Sequence, residues 1–436
     1  IMSGVVQNQD AYMKGKIAQR FFYDRLPAIL QRVMERYGDL TGRRYDLVQG
    51  YRLEDAEYAI VGMGSLVETA MAAVDWMRAE RGWRVGALHV TAFRPFPGPA
   101  IVSALKDVEG VAIIERVDVP TAQSNPLTAE IKAAFADAAT GAPDYPAIAK
   151  VPLIASGAAG LGSRDISPGD FVAAVAALRR GAPRFFVLGI RHPLALPREA
   201  DPDIRPPGAF SMRGHSVGGF GSVATNRVIA TILGDLFHLK VQAYPLYGSE
   251  KKGLPTTYYL TVADGPIRAH SDLTHVDFVP LNDVNAFRLG NPLAGLAEGG
   301  MLFIQSARTD PAATWADIPE HARRLIAERR IRLLALDTVR IAREVASRPE
   351  LQQRMQGIVL LGVFLRATPF LRQRGLTEAE VFEAVERSLR RFFGKRGEAV
   401  VQENLTAVRR GYAEVIEIPP HVMAPVVLAG SGGIRG

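Results

Sequence analysis

The residues best suited by type and spacing to chemistry are a glycine-rich turn and a lysine pair. His215-Ser216-Val217-Gly218-Gly219-Phe220-Gly221-Ser222 has three glycines in four positions, between a strand pattern and a helix start. Gly219, Gly221 and Ala224 satisfy a GxGxxA spacing. Glycines there let the backbone approach a phosphate, and the helix start supplies free N–H groups. Ser249-Glu250-Lys251-Lys252-Gly253 follows the next strand pattern, Lys240 to Pro245. If those strands are adjacent and parallel, their carboxyl ends share an edge and Lys251 and Lys252 face the same anion. Taken alone, the lysines equally describe a solvated loop. His215 can titrate with a phosphate, but a histidine at a strand end is more often a hydrogen-bonded core residue, and that reading is preferred.

A second turn, Gly62-Met63-Gly64-Ser65, also joins a strand to a helix. Position 67 is valine where a dinucleotide fingerprint has its third glycine, and no acidic residue closes the following strand. A tight turn used for packing explains it at least as well. The missing acid also weighs against NAD at the first turn; an anion held by lysines, such as coenzyme A with its phosphoryl groups, fits that charge pattern better. Arg94-Pro95-Phe96-Pro97 is a rigid loop whose arginine projects from a sheet edge, where it is expected to pair with a carboxylate of a neighbouring domain or partner. There is no HExxH or Walker lysine, and no GDG diphosphate signature. The chain has no cysteine, which excludes thiolate-held clusters, disulfides and cysteine nucleophiles from it. Catalysis is therefore not self-contained in these residues.

The elements that must position these groups alternate in α/β fashion. The first series runs strand Tyr58 to Gly62, helix Leu66 to Arg81, strand Val85 to Thr91, helix Ala100 to Lys106 and strand Gly110 to Glu115. Helix Leu127 to Ala138, strand Ala149 to Ile154, helix Phe171 to Leu178 and strand Phe185 to Ile190 complete it. A proline-rich stretch, Arg191 to Pro207, separates it from a second series. That series has strands Ser211 to Ser216, Lys240 to Pro245, Tyr258 to Val262, Phe278 to Leu281, Met301 to Gln305 and Arg332 to Leu336, with helix Val223 to Leu236 after the first. Helices Leu351 to Ala367, Thr377 to Phe393 and Lys395 to Arg410 follow. Before Tyr58 the pattern supports one amphipathic helix, Phe22 to Tyr37.

The 436 residues suit two domains. The fold expected is α/β with two parallel-sheet domains, the second with C-terminal helices. The net charge of +7 is scattered along helices without interleaved aromatics, so no nucleic-acid partner is expected. No apolar run is long enough to span a bilayer, so no membrane partner is expected either. With no signal-like start, a cytoplasmic location is expected. Residue 1 is isoleucine, which suggests that the chain begins inside something longer.

In their order, these parts resemble the pyruvate:ferredoxin/flavodoxin oxidoreductase family. Gln7 to Tyr12 and Leu40 to Arg43 resemble the end of its pyrimidine-binding domain and linker. Ile60 to Ser65, Glu68-Thr69 and Arg94 to Pro97 resemble its transketolase C-terminal-like domain. Gly218 to Gly221, Gly248 to Gly253, Asn291-Pro292 and Gly394 to Glu398 resemble its gamma domain. The resemblance divides the chain into 1–52 (domain end and linker), 53–198 (transketolase C-terminal-like), 199–209 (linker), 210–429 (gamma) and 430–436 (tail). It implies a subunit of a thiamine-diphosphate-dependent enzyme in which a 2-oxoacid, most simply pyruvate, and coenzyme A give acyl-coenzyme A, CO2 and two electrons. Thiamine diphosphate, Mg2+ and 4Fe-4S clusters would be held by other chains, including a beta-type subunit, with ferredoxin or flavodoxin as acceptor and a dimer of heteromers as the assembly. Gly218, Gly219, Phe220, Gly221, Lys251, Lys252 and Asn291 would border coenzyme A, while the catalytic residues would lie upstream and on the partner. Val217 to Phe220 departs from the Asp-Gly-Thr-type turn common in pyruvate enzymes. The alternative is a non-catalytic scaffold for the thiamine- and cluster-bearing chains.

Overall fold

The structure, a computed structural model, describes residues 8–181, 183–198, 201–217, 222–247, 255–282, 285–308 and 310–423. The chain divides into two compact units. One comprises Ile1–Ile204 together with Arg268–Asp272, and the other Arg205–Ile267 together with Leu273–Gly436.

In the first unit, helices α1 (Gln9–Tyr23) and α2 (Leu26–Thr41) precede strand β1 (Val48–Tyr51). Then come β2 (Tyr58–Gly62), α3 (Leu66–Arg81), β3 (Val85–Val90), α4 (Gly98–Leu105), β4 (Gly110–Glu115), α5 (Pro126–Ala139), β5 (Leu153–Ala158), α6 (Pro168–Arg179) and β6 (Phe185–Val187). The sheet order is β1-β3-β2-β4-β5-β6, parallel except for β1. Every residue of β4 is buried, as expected of a strand covered on both faces. One face packs Ile60, Ala112 and Ile114 with α3 and α6, and the other packs Val61, Val111 and Ile113 with α4 and α5. Ser167 and Asp170 start α6, the Asp170 carboxylate accepting from the Ser167 N–H at 2.9 Å.

Three local expectations change. The single N-terminal helix is two, broken at Asp24-Arg25 because Pro27 belongs in a first helical turn, not an interior. Strand β1 pairs antiparallel with β3, and its four residues carry no period to reveal it. The fifth strand starts after Pro152 and includes Ser156-Gly157, where the Phe186 ring crowds the position a Cβ would take.

In the second unit, β7 (Phe210–Val217), α7 (Ser222–Phe237), β8 (Lys240–Tyr247), β9 (Pro255–Ala263), β10 (Val276–Leu281), α8 (Ala286–Leu289) and β11 (Leu296–Gln305) come first. They are followed by α9 (Pro311–Ala316), α10 (Glu320–Glu328), β12 (Arg332–Leu336), α11 (Thr338–Val345) and α12 (Pro349–Ala367). The unit closes with α13 (Phe370–Gln373), α14 (Glu378–Phe393), α15 (Glu398–Glu414), β13 (Ile416–Glu417) and α16 (Pro420–Met423). The sheet order is β13-β12-β11-β10-β7-β9-β8. Its centre is parallel, while β9, β8 and β13 are antiparallel to their neighbours. Thus β9 lies between β7 and β8, and the two strands expected to be adjacent are not. Helix α12, apolar on all sides from Gly357 to Leu365, is buried there under the sheet beside α15. The two helices touch backbone to backbone: a Cβ on Gly362 would stand 2.0 Å from the Val408 carbonyl oxygen, and one on Gly411 2.1 Å from that of Val359.

Candidate functional site

The second sheet has a topological switch point between β7 and β10. From β7 the chain builds β8 and β9 on one side and then returns to place β10 on the other. Connections that leave two parallel neighbours in opposite directions open a crevice at their carboxyl ends, where ligands of open α/β sheets bind. Strand β7 ends at Val217 beside that crevice, and α7 begins at Ser222.

His215, Ser216 and Asn282 line this edge. The Asn282 N–H donates to the His215 carbonyl at 3.0 Å, and the Asn282 amide donates to Ser216 Oγ at 3.5 Å. Arg213 is fixed by its guanidinium, which donates to the carbonyls of Leu273 and Pro292 at 3.0 Å each and to that of Ala294. Those carbonyls carry the chain just before β10 and just before β11, so Arg213 ties the amino ends of those two strands to β7, on the side of the sheet away from the crevice.

Three buried polar atoms here have no hydrogen-bond partner among the described residues: His215 Nε2, Asn226 Oδ1 and Tyr258 Oη. His215 is two residues from the end of β7, Tyr258 pairs across the ladder with Gly214, and Asn226 lies near the start of α7, its amide donating to the Tyr259 carbonyl at 3.0 Å. Each such atom costs about 1–3 kcal/mol unless something satisfies it. His215 and Tyr258 lie on opposite faces of the sheet, since their ladder positions alternate, so the unsatisfied atoms flank the strands' carboxyl ends from both sides, where a polar ligand or ordered water can meet them. Burial lowers the His215 pKa to about 4 and raises that of the Tyr258 phenol. His215 is therefore neutral near pH 7 and offers a hydrogen bond rather than a charge. It is neither the titrating partner of a phosphate nor the satisfied core histidine expected from its position.

Gly218, Gly219, Phe220, Gly221, Lys251 and Lys252 lie outside the described residues. The segment carrying the lysines joins β8 to β9, an antiparallel pair, and so is a hairpin connection rather than a strand-to-helix loop. Val217 and Tyr247, the last residues of β7 and β8, pair with Pro255 and Thr256 at the start of β9. The glycine-rich and lysine-bearing segments therefore leave the same edge of the sheet, although β9 separates their strands. Asn291 is exposed, and its Oδ1 accepts from the Leu293 N–H at 3.1 Å in a local turn.

In the first unit the turn at Gly62 to Ser65 is a packing turn. The Gly64 N–H donates to His89 Nε2 at 3.1 Å instead of facing a ligand. Burial depresses the His89 pKa and so favours the neutral imidazole, which has one ring nitrogen able to accept. Glu68 and Thr69, in the first turns of α3, hold residues Arg268–Asp272: Glu68 bonds His270, and the Thr69 hydroxyl accepts from the His270 N–H at 3.0 Å. Arg268 donates to Tyr51 Oη at 2.8 Å. No sequence signal joins groups two hundred positions apart. Arg94 pairs with Glu130 of α5 at 2.5 Å and stacks on Phe93. Its carboxylate partner is thus in its own unit, not in a neighbouring domain or chain.

Among the described residues there is no group of three or more His, Asp or Glu side chains placed to hold a metal ion, and no helix is long and apolar enough to cross a membrane.

Comparison with known proteins gives a consistent result. A family model described as pyruvate ferredoxin/flavodoxin oxidoreductase matches residues 211–414, and one described as pyruvate:ferredoxin oxidoreductase core domain II matches residues 56–170. The pyruvate-flavodoxin oxidoreductase of Klebsiella pneumoniae is 30% identical over 430 residues, covering 97% of this chain and 35% of that protein. The pyruvate:ferredoxin oxidoreductase of Moorella thermoacetica is 27% identical over 426 residues, covering 95% and 34%. The chain thus spans about a third of the length of these curated relatives. Among solved structures, the pyruvate oxidoreductase subunit PORC of Thermotoga maritima aligns with 48% of this chain and 98% of its own, at 22% identity and a TM-score of 0.37.

Proposed function

Because this chain belongs to the pyruvate:ferredoxin/flavodoxin oxidoreductase family, we propose that it is the coenzyme A-facing, cluster-free part of a 2-oxoacid oxidoreductase. The reaction is 2-oxoacid plus coenzyme A to acyl-coenzyme A, CO2 and two electrons, reversible, with pyruvate as the 2-oxoacid. Thiamine diphosphate with Mg2+ supplies the decarboxylation chemistry, and 4Fe-4S clusters carry the electrons to ferredoxin or flavodoxin. With no cysteine here to ligate clusters and no GDG signature, those groups lie outside these 436 residues, and the assembly this reading implies is a cytoplasmic dimer of heteromers with a beta-type partner that holds them.

The observation that carries this reading is the set of three unsatisfied polar atoms at the β7–β10 switch point. A coenzyme A molecule lying across that edge has hydroxyls, amides and phosphoryl oxygens to satisfy them. In this division of labour Lys251 and Lys252 supply positive charge, backbone N–H groups of Gly218 to Gly221 cradle a phosphoryl group, and neutral His215 orients the ligand through one hydrogen bond. The Asn282 backbone bond to the His215 carbonyl keeps the crevice walls in register.

Calorimetric titration of the full chain with coenzyme A tests the reading. Saturable binding that weakens in Tyr258→Phe and His215→Phe is expected. Undiminished binding in both variants removes the switch-point assignment. Mass spectrometry of the native complex, where a cysteine-rich partner is expected, tests the assembly separately.

A further inference from the structure

The second unit has another cavity, of about 600 Å3, at the opposite edge of its sheet. Arg332, the first residue of β12, lies in its wall, so it opens at the amino ends of the parallel strands, away from the β7–β10 crevice. The rest of the wall comes from the carboxyl end of α12, from α13, from the start of α14 and from the end of α15. A volume of that order suits a metabolite-sized ligand.

Its charges are not balanced. Glu417 accepts two hydrogen bonds from Arg332, at 2.8 and 2.7 Å, which hold its pKa below the usual carboxylate range. Glu378 accepts from the Tyr412 hydroxyl at 2.8 Å. Glu417 is thus paired by Arg332, whereas Glu378 takes its hydrogen bond from a neutral hydroxyl and keeps its negative charge, leaving the lining one cation in excess. Arg366 and Arg372 also line the cavity, and neither has a carboxylate partner among the described residues. The Arg366 guanidinium lies 5.5 Å from the centroid of the Tyr412 ring, which orients its fork. Between these cations the floor is apolar, formed by the buried side chains of Leu334, Leu365 and Leu371.

We infer that this cavity binds a small organic dianion, whose anionic groups pair with Arg366 and Arg372 while its carbon skeleton rests on the leucine floor. Guanidinium forks recognise carboxylates and phosphoryl groups alike, so two probes distinguish the sources. The full chain is titrated calorimetrically with glutarate and with inorganic pyrophosphate at low ionic strength. Saturable binding of at least one probe is expected, about tenfold weaker in Arg366→Ala and again in Arg372→Ala. Both side chains are exposed, so these variants fold, and Arg366→Lys, which keeps charge but not the fork, retains part of the affinity. Lys251→Ala/Lys252→Ala leaves glutarate binding, and the arginine-dependent part of pyrophosphate binding, unchanged, since those residues belong to the coenzyme A reading. Absence of binding by either probe at millimolar concentration overturns the inference. So does binding of which no part is lost with both arginines, or glutarate binding that is lost with the lysines.

Discussion

The ring of Tyr258 lies flat against Gly214, its partner across the β7–β9 ladder, so closely that a Cβ at position 214 would stand 1.9 Å from Cζ and 2.3 Å from Oη. Only glycine leaves room for the ring, and the ring carries a buried hydroxyl to the switch-point edge. Gly214→Ala is expected to destabilise the second unit by about 2–3 kcal/mol through overpacking. Tyr258→Phe, which removes an unsatisfied hydroxyl, should leave stability unchanged or raised by about 1 kcal/mol. Urea unfolding midpoints decide both, and an unperturbed Gly214→Ala would refute this packing.

His215 predicts a pH dependence. Its pKa in the folded chain is lowered from 6.5 to about 4, so between those values the unfolded chain binds the proton and the folded one does not. Stability is therefore full above pH 6.5 and falls as pH drops towards 4. At full protonation this one group accounts for a loss of about 3 kcal/mol. Unfolding free energies at pH 7 and pH 5 should converge in His215→Phe. Equal pH slopes in the variant and the parent chain would assign the effect to other groups.

Glu115 closes β4 and is buried, where it accepts from the backbone N–H groups of Leu127 at 2.7 Å and Thr128 at 3.1 Å, and from the Thr128 hydroxyl at 2.8 Å. A carboxylate thus caps the free N–H groups at the start of α5. Glu115→Ala should cost about 3 kcal/mol, because those donors are left unsatisfied, and Glu115→Gln about half as much. Thermal unfolding of both variants checks the ranking.

Lys251 and Lys252 give the kinetic prediction. In the assembled enzyme, Lys251→Ala/Lys252→Ala should raise KM for coenzyme A about tenfold or more while leaving KM for pyruvate unchanged. Steady-state kinetics with each substrate varied separately make the distinction, and an unchanged coenzyme A constant counts against the lysines.

Much of the fold was legible because buried strands and amphipathic helices carry their periods in consecutive residues. Arg332–Leu336 is a strand with the bounds its apolar run predicts. Helix α3 begins and ends where Leu66 and Arg81 imply, stopped by Gly82 in the left-handed region. The short edge strand β1 was not legible, since an edge strand with one covered side needs few apolar residues. The unsatisfied atoms of His215, Asn226 and Tyr258 were not legible either. Whether a polar side chain is paired depends on which distant groups fold against it, and no local spacing records that.

By itself, the sequence determined the two α/β series, the positions of the glycine-rich turns and the absence of any cysteine ligand, because each depends on neighbouring residues or on composition. Tertiary structure alone decided that β9 enters between β7 and β8, that Arg268–Asp272 joins the first unit through Glu68 and Thr69, and that Arg94 meets Glu130. Strand order and side-chain partners are properties of long-range packing. They follow from which faces must be buried together, and residues far apart in the chain settle that jointly.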